Sequence, residues 1–196
     1  MNNYQTEEKC VRKMKSLALP MDLSSARVLD VGCNQGWFCR EMERRGAAYV
    51  VGLDKNLKSI EIARKYRQQY ADKINFYNQH WGDPLPEGPF DYILHLSAFH
   101  YAKDPQKLLD DMRNVLSPKG VLVLQLGVDQ TSSKKEWVKP KHRPDNCVHP
   151  SKSLLEEELL KDFAFRFVGE APLQAGDSTP RFVYHCPVAA KKFIKQ

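Results

Sequence analysis

Eleven residues, VLDVGCNQGWF (28–38), constrain this chain more than any other stretch. A short β-branched run ends in Asp30, a turn with two glycines follows, and a helical pattern opens at once. Gly32 permits a tight turn and close approach of the backbone to a ligand. Gly36 lets the helix start pack against the strand, and N–H groups exposed at that helix N-terminus suit a carboxylate or phosphate. The spacing is D-x-G-x-x-x-G. Asn34 and Trp37 stand where the dinucleotide fingerprint requires glycine, so the close approach of a diphosphate is disfavoured. Asp30 points into the same turn and favours a ligand carrying positive charge. About 20 residues later Asp54 ends the next β-branched run, YVVGLD, where an ionised carboxylate accepts from both hydroxyls of a ribose.

The rest of the chain continues this alternation, which predicts an α/β domain with a largely parallel sheet. A helix is expected over 4–19, stopped by Pro20. Strands are expected over 27–33, 49–54, 74–80, 90–98 and 121–126. Between them fall helices over 36–45, closed by Gly46, and from Asn56 onward, with Leu57, Ile60, Ala63 and Tyr66 on one face. A further helix starts at Asp104-Pro105, buries Leu108, Leu109, Met112, Val115 and Leu116, and ends at residues 117–120. Residues 82–89 belong to a Pro- and Gly-rich loop. Ser153 and Glu156 form a capping box for a helix to about residue 162. Residues 163–168 and 181–186 alternate as strands joined by a short link, which favours an antiparallel pair.

Size and composition narrow the class. At 196 residues the chain makes a single domain, residues 1–196, with an N-terminal helical segment (1–20) and a lid-like insert (127–150). No apolar run approaches the ~20 residues of a membrane span, and the charged N-terminus lacks a signal-peptide core, so membrane insertion and export are not expected. The five cysteines are odd in number and show no C-x-x-C spacing, which fits a reducing cytoplasm and suggests no disulfide framework and no metal site. A net charge of +6 leans toward anionic partners without marking a dedicated nucleic-acid binder.

In order along the chain, DVGCNQG, GLD, FDYILHLSAFHY and SPKGVLVL resemble the class I S-adenosylmethionine-dependent methyltransferases. The resemblance covers roughly residues 26–127. It implies a Rossmann-like methyltransferase fold, a seven-stranded mostly parallel sheet of order 3-2-1-4-5-7-6 with strand 7 antiparallel, and S-adenosyl-L-methionine as cofactor. It implies that Asp30, Gly32 and the turn Cys33, Asn34, Gln35 and Gly36 hold the methionine part, that Asp54 holds the ribose, and that the turn 79–81, with His80 and Trp81, flanks adenine. Many relatives carry an acid at the place of His80. Ser97, Ala98, Phe99 and His100 would lie beside the methyl group, at the crevice between strands one and four.

The acceptor is read from fainter signals. Methyl transfer is an in-line displacement that needs a base only when the acceptor must lose a proton, and His100 is the candidate base. His95, inside the strand, reads as a core residue. The chain lacks the Asn-Pro-Pro-Tyr motif of enzymes acting on planar nitrogens, and no cysteine follows the fourth or fifth strand. The insert carries Lys134, Lys135, Lys139, Lys141 and Arg143 against one acid, Glu136. Lys139, Lys141, His142, Arg143 and Arg181 are therefore expected to bind an anionic acceptor such as a phosphate, sugar phosphate or sugar. FRFVGE and TPRFVYHC also resemble the end of a subgroup acting in bacterial surface-polysaccharide biosynthesis. An RNA methyltransferase acting on a short or terminal target is the runner-up, with nucleic acid the less favoured partner. A non-catalytic cofactor-binding subunit is the rival of a different class.

Overall fold

The computed structural model describes residues 6–67, 73–80, 82–140, 147–173 and 179–189. Seven strands form one sheet: β1 (Arg27–Val31), β2 (Tyr49–Asp54), β3 (Ile74–Asn78), β4 (Phe90–Leu96), β5 (Leu116–Gly127), β6 (Arg166–Ala171) and β7 (Arg181–Pro187). Their order is 3-2-1-4-5-7-6, and β7 runs antiparallel to both its neighbours, as expected. The helices are α1 (Glu7–Ser16), α2 (Trp37–Arg44), α3 (Leu57–Arg67), α4 (Pro105–Asn114) and a short α5 (Lys152–Leu154) that continues as a π-wound turn, Leu155–Leu159.

Both sheet faces are covered, so the central strands are apolar on either side. Cys10, Met14 and Leu17 of the α1 segment pack with Phe38 and Met42 of α2 against Val28, Val50, Leu94, Val123 and Val183. On the opposite face Leu108, Leu109 and Met112 of α4, with Leu155 and Leu159, pack on Leu29, Val51, Ile93, Leu124, Phe182 and Tyr184. Alternate residues of each strand therefore serve opposite cores. Helix α4 starts as its sequence dictates: the Asp104 carboxylate accepts from Lys107 N–H at 2.9 Å and Pro105 occupies the first turn.

Several expectations give way. Leu57 and Tyr66 are half exposed, and only Ile60 and Ala63 of that face are buried, because α3 lies at the sheet's edge; Tyr66 lies 5.0 Å from the Arg40 guanidinium. Residues 117–120 do not separate α4 from its strand, since Leu116 already pairs with Phe90. The last helix is capped by Ser151, not Ser153. Ser151 Oγ accepts from Leu154 N–H, and its own N–H donates to Glu136 O at 2.8 Å, which fixes the start two residues early. The outermost strand begins at Arg166 rather than residue 163.

The insert is partly built. Trp137–Val138 and His149–Pro150 form a two-residue antiparallel ribbon, and Asp129 gathers the N–H groups of Thr131 and Ser132. Trp137 stacks over Phe99 with ring centroids 6.3 Å apart.

Candidate functional site

The glycine turn sits at the carboxyl end of β1 and is shaped by bonds made within 20 residues of itself. Gly32 (φ +90°), Asn34 (φ +51°) and Gly36 (φ +73°) all take the left-handed region. Gly32 and Cys33 N–H donate to Leu53 O at 2.8 and 2.9 Å, Asn34 N–H donates to Asp54 Oδ2 at 2.8 Å, and Gly36 N–H donates to Cys33 O at 2.9 Å. Three of these four N–H groups tie the turn to β2 and the fourth closes it on itself, ahead of the helix start at Trp37. A Cβ on Gly36 would lie 2.5 Å from the Phe76 ring, and one on Gly52 would lie 2.7 Å from Phe76 and 2.9 Å from Cys33 Sγ. The glycine of GLD therefore admits the side chains beneath the turn. The Gln35 carbonyl accepts from Arg40 at 2.8 Å.

Asp54 is a brace as well as a candidate ribose ligand. Its second oxygen accepts from Asn56 N–H at 2.8 Å, so each oxygen has one backbone partner and retains further accepting capacity. Asp30 is 2% exposed and accepts from Cys39 Sγ at 3.4 Å. Burial, followed at a distance by the Asp54 charge, pushes its pKa up to about 7. The folded chain then holds this proton more tightly than the unfolded chain between about pH 4 and about pH 7, so Asp30 costs stability as pH rises through that window. A cationic ligand beside it would offset that cost. Burial also pushes the thiols of Cys33 and Cys39 up, which keeps them protonated.

On the β3 side, His80 N–H donates to Asp83 at 3.1 Å and its Nδ1 accepts from Gly82 N–H at 3.0 Å. A recess lies between this turn and the start of α4, lined by His80, Asp83, Ala102, Lys103 and Leu108. Trp81 lies outside the described residues, as do Lys141, His142 and Arg143.

The ends of β4, β5 and β7 carry a different chemistry. Ser97 has φ +59°, a costly conformation for a side-chain-bearing residue. Its N–H donates to Gln125 O at 2.7 Å and its hydroxyl donates to Gln125 Oε1 at 2.6 Å. Lys13 Nζ, from α1, donates to the same hydroxyl at 3.1 Å. His100 follows in a single turn, Phe99–Tyr101, with its ring 3.9 Å from Tyr101 and 5.9 Å from His149. His149 is buried where Gly127 lacks a Cβ; a methyl there would lie 2.5 Å from the ring. Arg181, 5% exposed, is paired with Gly127 across the β5–β7 ladder. His95 is in the core, with Nδ1 2.8 Å from Val31 O, and burial lowers its pKa to about 4, so it is neutral.

In the basic insert Lys139 is exposed, and Lys135 pairs with Glu157 and Glu158 of the helical turn after Ser151, at 3.1 and 2.6 Å. Sequence reasoning missed Lys13, Gln125 and the Glu7–Trp37 bond, in which Trp37 Nε1 donates to Glu7 at 2.6 Å. Nothing local distinguishes Lys13 from the other cations of α1; topology alone brings it 84 residues across to Ser97. Among the described residues no group of three or more His, Cys, Asp or Glu is arranged to hold a metal ion, and no helix is long and apolar enough to cross a membrane.

Known proteins share this architecture. Ubiquinone biosynthesis O-methyltransferase of Cereibacter sphaeroides is 31% identical over 122 residues, which are 62% of this chain and 49% of that protein. The chain spans about half the length of the curated relatives it matches. An S-adenosylmethionine-dependent methyltransferase of Mesorhizobium loti superimposes with a TM-score of 0.68 at 20% identity, over 89% of this chain and 97% of that one. Magnesium protoporphyrin IX methyltransferase of Synechocystis, with S-adenosylmethionine bound, gives 0.66 at 16% identity over 91% and 79%. With residues 3–165 matching the family model described as a methyltransferase domain, and with the strand order and glycine turn in place, the chain belongs to the methyltransferase-domain family of the class I, S-adenosylmethionine-dependent superfamily.

Proposed function

We propose that this chain transfers the methyl group of S-adenosylmethionine to an oxygen of a small anionic or glycan acceptor: a sugar, sugar phosphate or phosphate. The observation that carries this reading is the polarity of the crevice. Acids, Asp30 and Asp54, stand at the ends of β1 and β2, and bases, His100, His149 and Arg181 with Lys13, gather by the ends of β4, β5 and β7. The acid side fits the cofactor. Asp54 can accept from ribose hydroxyls with the capacity its two backbone partners leave. Asp30 and the turn of Gly32, Cys33, Asn34, Gln35 and Gly36 face a positively charged methionine portion. His80 flanks adenine, and Ser97 lies toward the methyl group. Asn34 and Trp37, standing where a diphosphate-binding turn needs glycine, disfavour NAD.

Bound there, S-adenosylmethionine supplies a methyl carbon carried on a sulfonium. The chain's own work is to place the acceptor oxygen in line, a contribution that reaches ~7–11 kcal/mol in well-oriented systems. His100 takes the proton from an acceptor hydroxyl, and an already ionised phosphate oxygen needs no such help. The names of the ubiquinone O-methyltransferase relatives support oxygen as the acceptor atom.

The test pairs an anionic acceptor panel with His100→Ala. For a hydroxyl acceptor, turnover should fall about 10²- to 10⁴-fold, while S-adenosylhomocysteine affinity, read by calorimetry, stays put. Wild-type turnover in the variant would remove His100 from the mechanism, and preferred methylation of neutral acceptors would sink the anionic reading.

A further inference from the structure

We infer that Lys13 and Arg181 form an oxyanion site on the α1 side of the crevice, floored by Ser97 and Gln125. The inference rests on the anionic-acceptor reading in one respect: the oxyanion is taken to be the acceptor's own charged group.

Strand parity places the parts. Val123 and Val183 belong to the core under α1, whereas Leu124, Leu126, Phe182 and Tyr184 belong to the opposite core. Gln125 and Arg181, two residues from Val123 and Val183, therefore emerge on the α1 face. The ladder sets Val183 opposite Gln125 and Arg181 opposite Gly127, one step nearer the strand ends. Lys13 arrives from above, next to the buried Met14, and its amine meets the Ser97 hydroxyl, which Gln125 holds in turn. Two cations from segments 168 residues apart so converge on one polar floor.

Their partners are the telling feature. The amine of Lys13 bonds a neutral hydroxyl, and among the described residues no carboxylate stands within ion-pair distance of it. Burial first, and then the Arg181 charge, lower its pKa to about 8, against a weaker upward pull from Cys10 and Asp30. A half-buried lysine beside another cation is unfavourable unless something anionic joins it. The planar fork of Arg181 matches an oxyanion's edge, and Lys13 adds a point charge. The strained Ser97 backbone fits a position retained for a ligand rather than for packing.

The test uses inorganic phosphate as the probe on the intact chain saturated with S-adenosylhomocysteine. Thermal protection by phosphate is measured against chloride at equal ionic strength. Wild type should be protected by phosphate and not by chloride. Lys13→Met should weaken phosphate roughly 10- to 100-fold, the range for a lost charge-assisted bond, and Lys13→Arg should restore most of it. Arg181→Lys, which keeps the charge in the strand, should weaken it less than Arg181→Met. No phosphate protection of the wild type would overturn the inference. So would Lys13→Met lowering S-adenosylhomocysteine affinity by a similar factor, because the amine would then hold the cofactor's own carboxylate. If phosphate binds as expected but no anionic compound is methylated, the oxyanion site stands and the proposed acceptor class falls.

Discussion

The two sides of the crevice are built by different rules. On the β1–β2 side the backbone bonds that shape the turn join residues close in sequence, the longest being Gly32 to Leu53, 21 residues apart. On the β4–β7 side Ser97 reaches Gln125 over 28 residues and Lys13 reaches Ser97 over 84. The first side is a property of a supersecondary motif, and the second is a property of the finished sheet.

The sharpest break of this comparison is a pair of glycine substitutions. Gly36→Val puts a branched side chain at φ +73° and against Phe76, and should cost about 2–6 kcal/mol of stability, abolishing cofactor binding with it. Gly127→Ala meets the His149 ring instead and should cost about 1–3 kcal/mol while sparing S-adenosylhomocysteine affinity. Denaturant unfolding with calorimetry reads both. Equal loss of cofactor affinity in the two would mean the sides are not separable.

Asp54→Ala comes next. Cofactor affinity should fall roughly 10- to 100-fold through the lost charge-assisted contact. Stability should fall as well, since Asn34 and Asn56 lose their acceptor. That second effect would be missed by a reading of Asp54 as a ligand alone. Unchanged affinity would take the ribose away from β2.

The smallest effect concerns the insert. Lys139→Ala should raise the acceptor KM, whereas Lys135→Ala should leave it where it is, because Lys135 is already paired with Glu157 and Glu158. If both variants raised KM alike, the pairing would not hold in solution and the whole basic run would belong to the acceptor.

These contrasts also explain what could be read beforehand. The antiparallel β7, the Asp104-Pro105 cap and the placement of Asp30 and Asp54 follow from local patterns, and the strand order follows from the family resemblance that the motifs carry. The partner of Lys135, the depth of Arg181 and the reach of Lys13 depend on which elements end up face to face, and a single sequence does not write that down. The misplaced cap has the same origin. Ser153 and Ser151 are equally good caps by composition, and only the bond from Ser151 N–H to Glu136 in the ribbon chooses between them.

The His185 ring sits 2.8 Å from the Leu17 carbonyl just past α1, a link across 168 residues, and β7 is inserted between β5 and β6. On the ribosome this imposes a timetable. Strands β1 to β5 are complete once residue 127 has emerged, but β7 is complete only at residue 187. At about 5–20 residues per second that is a wait of roughly 3–12 s. During it β5 presents an open edge and α1 lacks its bond to His185, so the nascent chain passes through a stage in which the glycine turn can form and the side completed by Arg181 cannot. A ligand for the turn is expected to find its place before that second side exists.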